Sequence, residues 1–329
     1  MKVFSPFTRT QGTRLDLSLD LTIALLPVLI WSVFLFGARV ITLCAVSVAS
    51  CFLFDFLVLR FLIKQEVRYC FNSINTPIGL MCAFIMPVSV PMWVPLLGGM
   101  IAVFARHFRP FRRKQLFHPV MLAAGLLNLC CSDVMTVFTR PFAYFNAFSP
   151  TLDPVLVNRY RVISPLMYMA DGSVYEDGVI AQIYGFASGC MGEVAVAAIA
   201  LGCAYLVFRK RLPLYGALGY LGVIAIAAAL FPSADAETNY YVFSVLLSGG
   251  TVFIAVFSLA DGNTTPVSPA GKLLFGILAG TISFLLRGVL SGQEGGYYAV
   301  LILNLCTPII DRLLPVRPVG EKNNKKKAF

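Results

Sequence analysis

Apolar runs up to about twenty residues long recur along this chain, and basic residues collect in alternate gaps between them. A helix needs roughly 20 apolar residues to cross the hydrocarbon core, and only a helix satisfies its own backbone there. Ten such runs are read at 21–37, 40–59, 78–90, 93–105, 119–138, 194–208, 214–231, 243–259, 273–286 and 297–310. Several are short for a single crossing. The third is stopped by Pro87 and Pro91, and the eighth carries Ser248-Gly249-Gly250 near its centre. Of the 329 residues 58% are hydrophobic and 13% charged, about half the charge of a soluble domain. A water-soluble core of this length is excluded, and the expected class is an all-α polytopic membrane protein.

Lysine and arginine set the orientation of such a chain. With ten spans, 21 of the 26 fall on one side and five on the other: Arg39, Arg140, Arg159, Arg161 and Arg287. Both termini are therefore expected in the cytoplasm. The net charge of +10 reads as a cytoplasmic-face signal, and nucleic acid is not an expected partner. The cluster at 106–114 suits anionic lipid headgroups, at about 1 kcal/mol per cation, or a soluble redox partner. The first run follows a polar basic arm without a small-residue cleavage site, so it reads as a signal anchor.

A single membrane domain is expected: a first five-helix half at 1–138, an extracytoplasmic loop at 139–179, a second half at 180–315 and a basic tail at 316–329. Five being odd, the halves would have opposite orientations. Interrupted spans in matching places suit an inverted repeat with a binding site near the midplane. The nine cysteines form no C-x-x-C pair and read as packing residues. His107 and His118 lack partners at metal spacing. No Walker loop, nucleophile elbow or dinucleotide fingerprint is present.

Six segments, in order along most of the chain, are similar to one family. They are 20–56, Phe117-His118-Pro119, Gly189-Cys190-Met191-Gly192-Glu193, Ser248-Gly249-Gly250 through Asp261, 271–287 and 294–311. They resemble the D subunit of Rnf-type ion-translocating electron-transport complexes and the related B subunit of sodium-translocating NADH:quinone oxidoreductase. The resemblance implies a subunit of a cell-membrane complex moving electrons between ferredoxin and NAD, coupled to sodium or proton transport. Its partners would be other membrane subunits and a flavin-bearing G-type subunit. It also implies FMN esterified through its phosphate to a hydroxyl in the loop between spans five and six, and a second, non-covalent flavin such as riboflavin.

The family's attachment motif resembles 158–166, where Ser164 stands at the position of the flavin-bearing threonine and Pro165-Leu166 is kept. Asn158 replaces an aspartate, and Val162-Ile163 replaces a Gly-Ala pair. Ser164 is thus a candidate FMN tether, or a loop hydroxyl bonding backbone. His118 stands where the family has asparagine, and a basic stretch replaces its glycine-rich one.

Ionisable groups inside spans cost about 2.5–3.5 kcal/mol each and are functional candidates. Glu193 reads as a cap of span six or as a contact to a flavin or cation. Arg287 ends span nine, either snorkelling or meeting a flavin phosphate. Asp261 is a weaker candidate for the flavin's surroundings. Asp55 is expected to pair with Arg60, and Asp133 to be solvated. The leading expectation is a flavin-carrying subunit with no catalytic residue of its own; the alternative is a flavin-free transporter or channel on the same scaffold.

Overall fold

The structure, a computed structural model, describes residues 14–62, 64, 75–108, 115–170, 178–232, 238–259, 262–290 and 294–315. Asp261, both termini, Cys70 and the basic cluster from Arg109 to Lys114 lie outside the described residues.

The elements run α1 (Arg14–Phe36), α2 (Arg39–Leu57, continued by a π-helical turn Val58–Leu62), α3 (Asn75–Phe84), α4 (Trp93–His107), α5 (Pro119–Cys130) and α6 (Ser132–Met135). The expected loop holds β1 (Phe138–Thr139), α7 (Pro154–Tyr160), β2 (Arg161–Val162) and α8 (Pro165–Ala170), with β1 and β2 antiparallel. Then come α9 (Gly178–Tyr184), α10 (Val196–Phe208), α11 (Leu214–Leu230), α12 (Thr238–Leu247), α13 (Thr251–Phe253, continued by a π-helical turn Ile254–Ser258), α14 (Pro269–Val289) and α15 (Gly296–Leu313).

Local chemistry sets several starts. Proline opens α5, α7 and α14, where its missing N–H is no loss. The preceding residue caps each: His118 Nδ1 accepts from Met121 N–H at 3.4 Å, Asp153 from Val155 at 2.9 Å and Ser268 from Gly271 at 3.0 Å. His118 thus does by its ring nitrogen what an asparagine cap does by its carbonyl.

Asp16–Phe36, Arg39–Phe61 and Pro269–Val289 are long and apolar enough to cross a membrane, and α12 with α13 and its π turn passes the same test together as a pair bent by 59°, a broken span or a re-entrant loop. α14 shows how the surface is solvated. Gly271, Phe275, Gly276, Ala279, Gly280, Ser283 and Arg287 form its buried face at helical spacing. Leu273, Ile277, Leu278 and Leu285 face outward. Small and polar inside with large aliphatics outside is the pattern of a helix packed in lipid. The chain is a multi-pass helical membrane protein.

Three expected spans are not whole. The third helix stops at Phe84 and 85–92 is irregular; the fifth stops at Cys130; the eighth breaks at 248–250. Non-helical backbone at membrane depth must find partners within the protein. Around the first break Arg39, fully buried, supplies them. Its guanidinium donates to the carbonyls of Val88 and Val90 (both 2.9 Å), Asn146 (3.1 Å) and Ser149 (2.9 Å). The irregular stretch before α10 fills two more acceptors: Met191 N–H donates to Met86 O (3.0 Å) and Gly192 N–H to Phe84 O (2.9 Å). Phe84 also meets Phe253 edge to face, so three irregular or bent segments converge.

Asp55 is paired otherwise than expected. It lies wholly buried, with His107 Nε2 at 2.6 Å, Asn75 Nδ2 at 2.8 Å and Arg106 at 3.7 Å, while Arg60 is exposed on the π turn. Asp20 similarly ties α1 to the end of α10 through Arg209 (3.1 Å) and Arg211 (2.8 Å). Asp133 is exposed, as expected.

Replacing Arg39 by methionine leaves the buried carbonyls of Val88 and Val90, and the part-buried bonds to Asn146 and Ser149, without this donor, and is expected to destabilise the protein by about 3 kcal/mol. Arg60→Met, at an exposed position, should change stability by less than about 0.5 kcal/mol. Thermal unfolding of the two purified variants checks the contrast.

Candidate functional site

The break between α12 and α13 requires an unusual residue first. Gly249 has φ +60°, a conformation that glycine adopts without penalty, and this lets the backbone turn under Glu294. Glu294 then satisfies what the break exposes. Its Oε2 accepts from Gly250 N–H at 2.9 Å, and its Oε1 accepts from Gly296 N–H at 2.9 Å, at the start of α15. Arg287, near the end of α14, donates to Glu294 Oε2 (2.8 Å), to Thr251 Oγ1 (2.5 Å) and to the Val245 carbonyl (3.2 Å). One acid and one base therefore hold both sides of the break.

Glu193 reaches the same place from the irregular stretch before α10. It is buried and accepts a hydrogen bond from the Tyr297 hydroxyl of α15. A Cβ on Gly250 would come within 2.5 Å of Glu193 Oε1, so the bare glycine makes room for the carboxyl. Glu193 is not a helix cap: the cap position of α10 is Ala195, with no side-chain bond. Arg287 does not snorkel; it is buried against Glu294.

Beside this cluster lies a cavity of about 60 Å³. Glu193, Ser248, Gly249 and Glu294 form one wall, Ser164 with Pro165-Leu166 another, and Gln182, Ser188, Gly189 and Cys190 a third. Ser188 donates to the Ile163 carbonyl (2.7 Å), fixing the chain just before Ser164. The Ser164 hydroxyl accepts a long bond from Met167 N–H (3.4 Å) at the start of α8. Gln182 Nε2 donates to Ser244 Oγ (3.3 Å), and its buried Oε1 has no partner among the described residues.

Of the residues singled out in the sequence, Ser164 and Glu193 share this cavity and Arg287 stands behind it through Glu294. Asp261 lies outside the described residues. Ser164 itself is buried, 7% exposed, while beside it Ile163 is 46% exposed and Val162 pairs with Phe138. Sequence reading missed Glu294, Tyr297 and Gln182. Glu294 was discoverable as the one acidic residue just before the tenth apolar run; Tyr297 and Gln182 carry no local signal.

The Ser164 hydroxyl, followed by Pro165-Leu166 on the cavity wall, has the chemistry of an attachment point for a phosphoester. The space of about 60 Å³ takes a few water molecules, so the fit is to the attachment point.

Broken helices meeting at a buried polar cavity define a class: helical membrane proteins whose site sits where spans are interrupted. The family model described as "NQR2, RnfD, RnfE family" matches residues 2–320, and the chain belongs to that family. It is similar to the D subunit of the ion-translocating oxidoreductase complex of Haemophilus ducreyi, 26% identical over 97% of this chain and 98% of the relative. It is also similar to the D subunit of the Na(+)-translocating ferredoxin:NAD(+) oxidoreductase complex of Acetobacterium woodii (25%; 98% and 96%). A third relative is the D subunit of the proton-translocating ferredoxin:NAD(+) oxidoreductase complex of Clostridium ljungdahlii (23%; 94% and 92%).

Arg287→Met or Glu294→Gln alone strands a buried charge and is expected to cost about 3–5 kcal/mol. The double variant should lose less than the sum. A double-mutant cycle read by thermal unfolding measures the coupling.

Proposed function

We propose that the chain is the flavin-carrying membrane subunit of an Rnf-like complex, which passes electrons between ferredoxin and NAD and couples that flow to cation transport. The observation that carries the reading is the meeting of Ser164 and Glu193 in one cavity at the broken helix. The relatives' names supply the complex and the reaction. Relatives of nearly equal identity are named for sodium and for protons, so the proposal is of cation coupling by the whole complex.

FMN would be joined to Ser164 Oγ through its phosphate, in the cavity that Gly189 and Gly249 also line. The bound flavin supplies the electron chemistry; the chain holds and orients it. The Arg287–Glu294 pair keeps the Gly249 wall rigid. We assign no residues to a second, riboflavin-type flavin. Partners would be the complex's other membrane subunits and a flavin-bearing G-type subunit.

The ten-span inverted repeat in the cytoplasmic membrane, with both termini cytoplasmic, belongs to the same proposal. Packing supports it. α2 packs on α3 and α4 as α11 packs on α12 and α14, and α4 packs on α5 as α14 packs on α15. α1 meets α10, and α5 meets α15, which is how counterpart helices meet across a pseudo-twofold axis. The positive-inside count then puts Ser164 on the outer side.

Expressed with the complex in a host that flavinylates proteins, the denatured chain is expected to fluoresce in a gel. Ser164→Ala should abolish the signal and Ser164→Thr should keep it. A wild-type chain without fluorescence would remove the covalent flavin, and would favour the flavin-free transporter.

A further inference from the structure

The buried cluster behind the cavity holds two carboxyls and one guanidinium. Arg287 is committed to Glu294 at 2.8 Å, and Glu294 also accepts two backbone N–H bonds. Glu193 has no cation of its own among the described residues. The groups facing it are the Tyr297 hydroxyl from α15, the Cys190 thiol from its own stretch, Glu294, and Arg287 of α14, already neutralised. Tyr220 of α11, which faces the same cluster, is bonded to Ser283 at 3.1 Å. A buried carboxylate lacking a counter-charge carries a desolvation penalty of several kcal/mol, and such groups neutralise instead.

A separate observation points the same way. Gln182, 1% exposed, lines the cavity that Glu193 lines, and its Oε1 has no donor among the described residues. An acceptor without a donor and a carboxyl without a cation share one space large enough for a few waters. A proton satisfies both groups: on Glu193 it neutralises the carboxyl without a cation, and a water in the shared space can donate to Gln182 Oε1.

We propose that Glu193 is a proton-binding group, a neutral carboxylic acid at neutral pH, exchanging its proton through the water-sized space that ends at Ser164. Nothing in this depends on whether Ser164 carries a flavin, so the two readings fail separately.

The test is infrared spectroscopy of the purified full chain in lipid nanodiscs at neutral pH. A carboxylic-acid C=O band is expected that moves to lower wavenumber in D2O, disappears in Glu193→Gln and persists in Asp133→Asn. Tyr297→Phe keeps the carboxyl but removes its hydrogen bond, so the band should shift to higher wavenumber; this reads the same group if Glu193→Gln fails to fold. The proposal is overturned by a wild-type spectrum without the band, by a band that Glu193→Gln leaves in place, or by one that D2O does not move. It is equally overturned if sodium ions replace the band with a carboxylate signal.

Discussion

Backbone that leaves the helix inside a membrane has no water to bond, and every N–H and C=O it frees must be met by the protein. That constraint organises this molecule. At the break after α3 the answer is cationic: one guanidinium, Arg39, takes four carbonyls from two stretches of chain. At the break between α12 and α13 it is an ion pair, with Glu294 meeting freed N–H groups and Arg287 a freed carbonyl. The stretch before α10 bonds directly to the first break through Met191 and Gly192. The cavity lies beside these repairs.

Holding the breaks with charges has a chemical consequence. A buried ion pair stabilises less than its Coulomb attraction suggests, because both ions were taken out of water. It does fix geometry. Glu294 is pinned by three donors and Arg287 by three acceptors, so Gly249 and Gly250 are set rigidly against Glu193. A hydroxyl at Ser164 thus faces a preformed wall, which is what an attached cofactor or an exchanging proton requires of a site.

Much of this was legible in the chain. Apolar runs locate the helices, Pro87 and Pro91 foretell the first break, and Ser248-Gly249-Gly250 foretells the second. Ser164, Pro165 and Leu166 line the cavity. Pairings across long separations were not legible. Arg39 follows Gly37 at the end of a run and reads as a flanking charge, yet tertiary contacts bury it. Asp55 has Arg60 nearby in sequence, but Arg60 is exposed while His107, 52 residues away, comes to 2.6 Å. Glu193 reads as a cap because acids favour helix starts; two residues of irregular chain separate it from α10 and send it to Tyr297 instead.

In the proposed orientation the Ser164 wall faces away from the cytoplasm. Ile163, exposed beside it, gives the most direct measurement. An Ile163→Cys variant in intact cells is treated with a membrane-impermeant maleimide, and the modified residue is located by peptide mass. Labelling at position 163 from outside the cytoplasmic membrane is the predicted result. Labelling only in inverted vesicles would place the cavity on the cytoplasmic side and contradict the account.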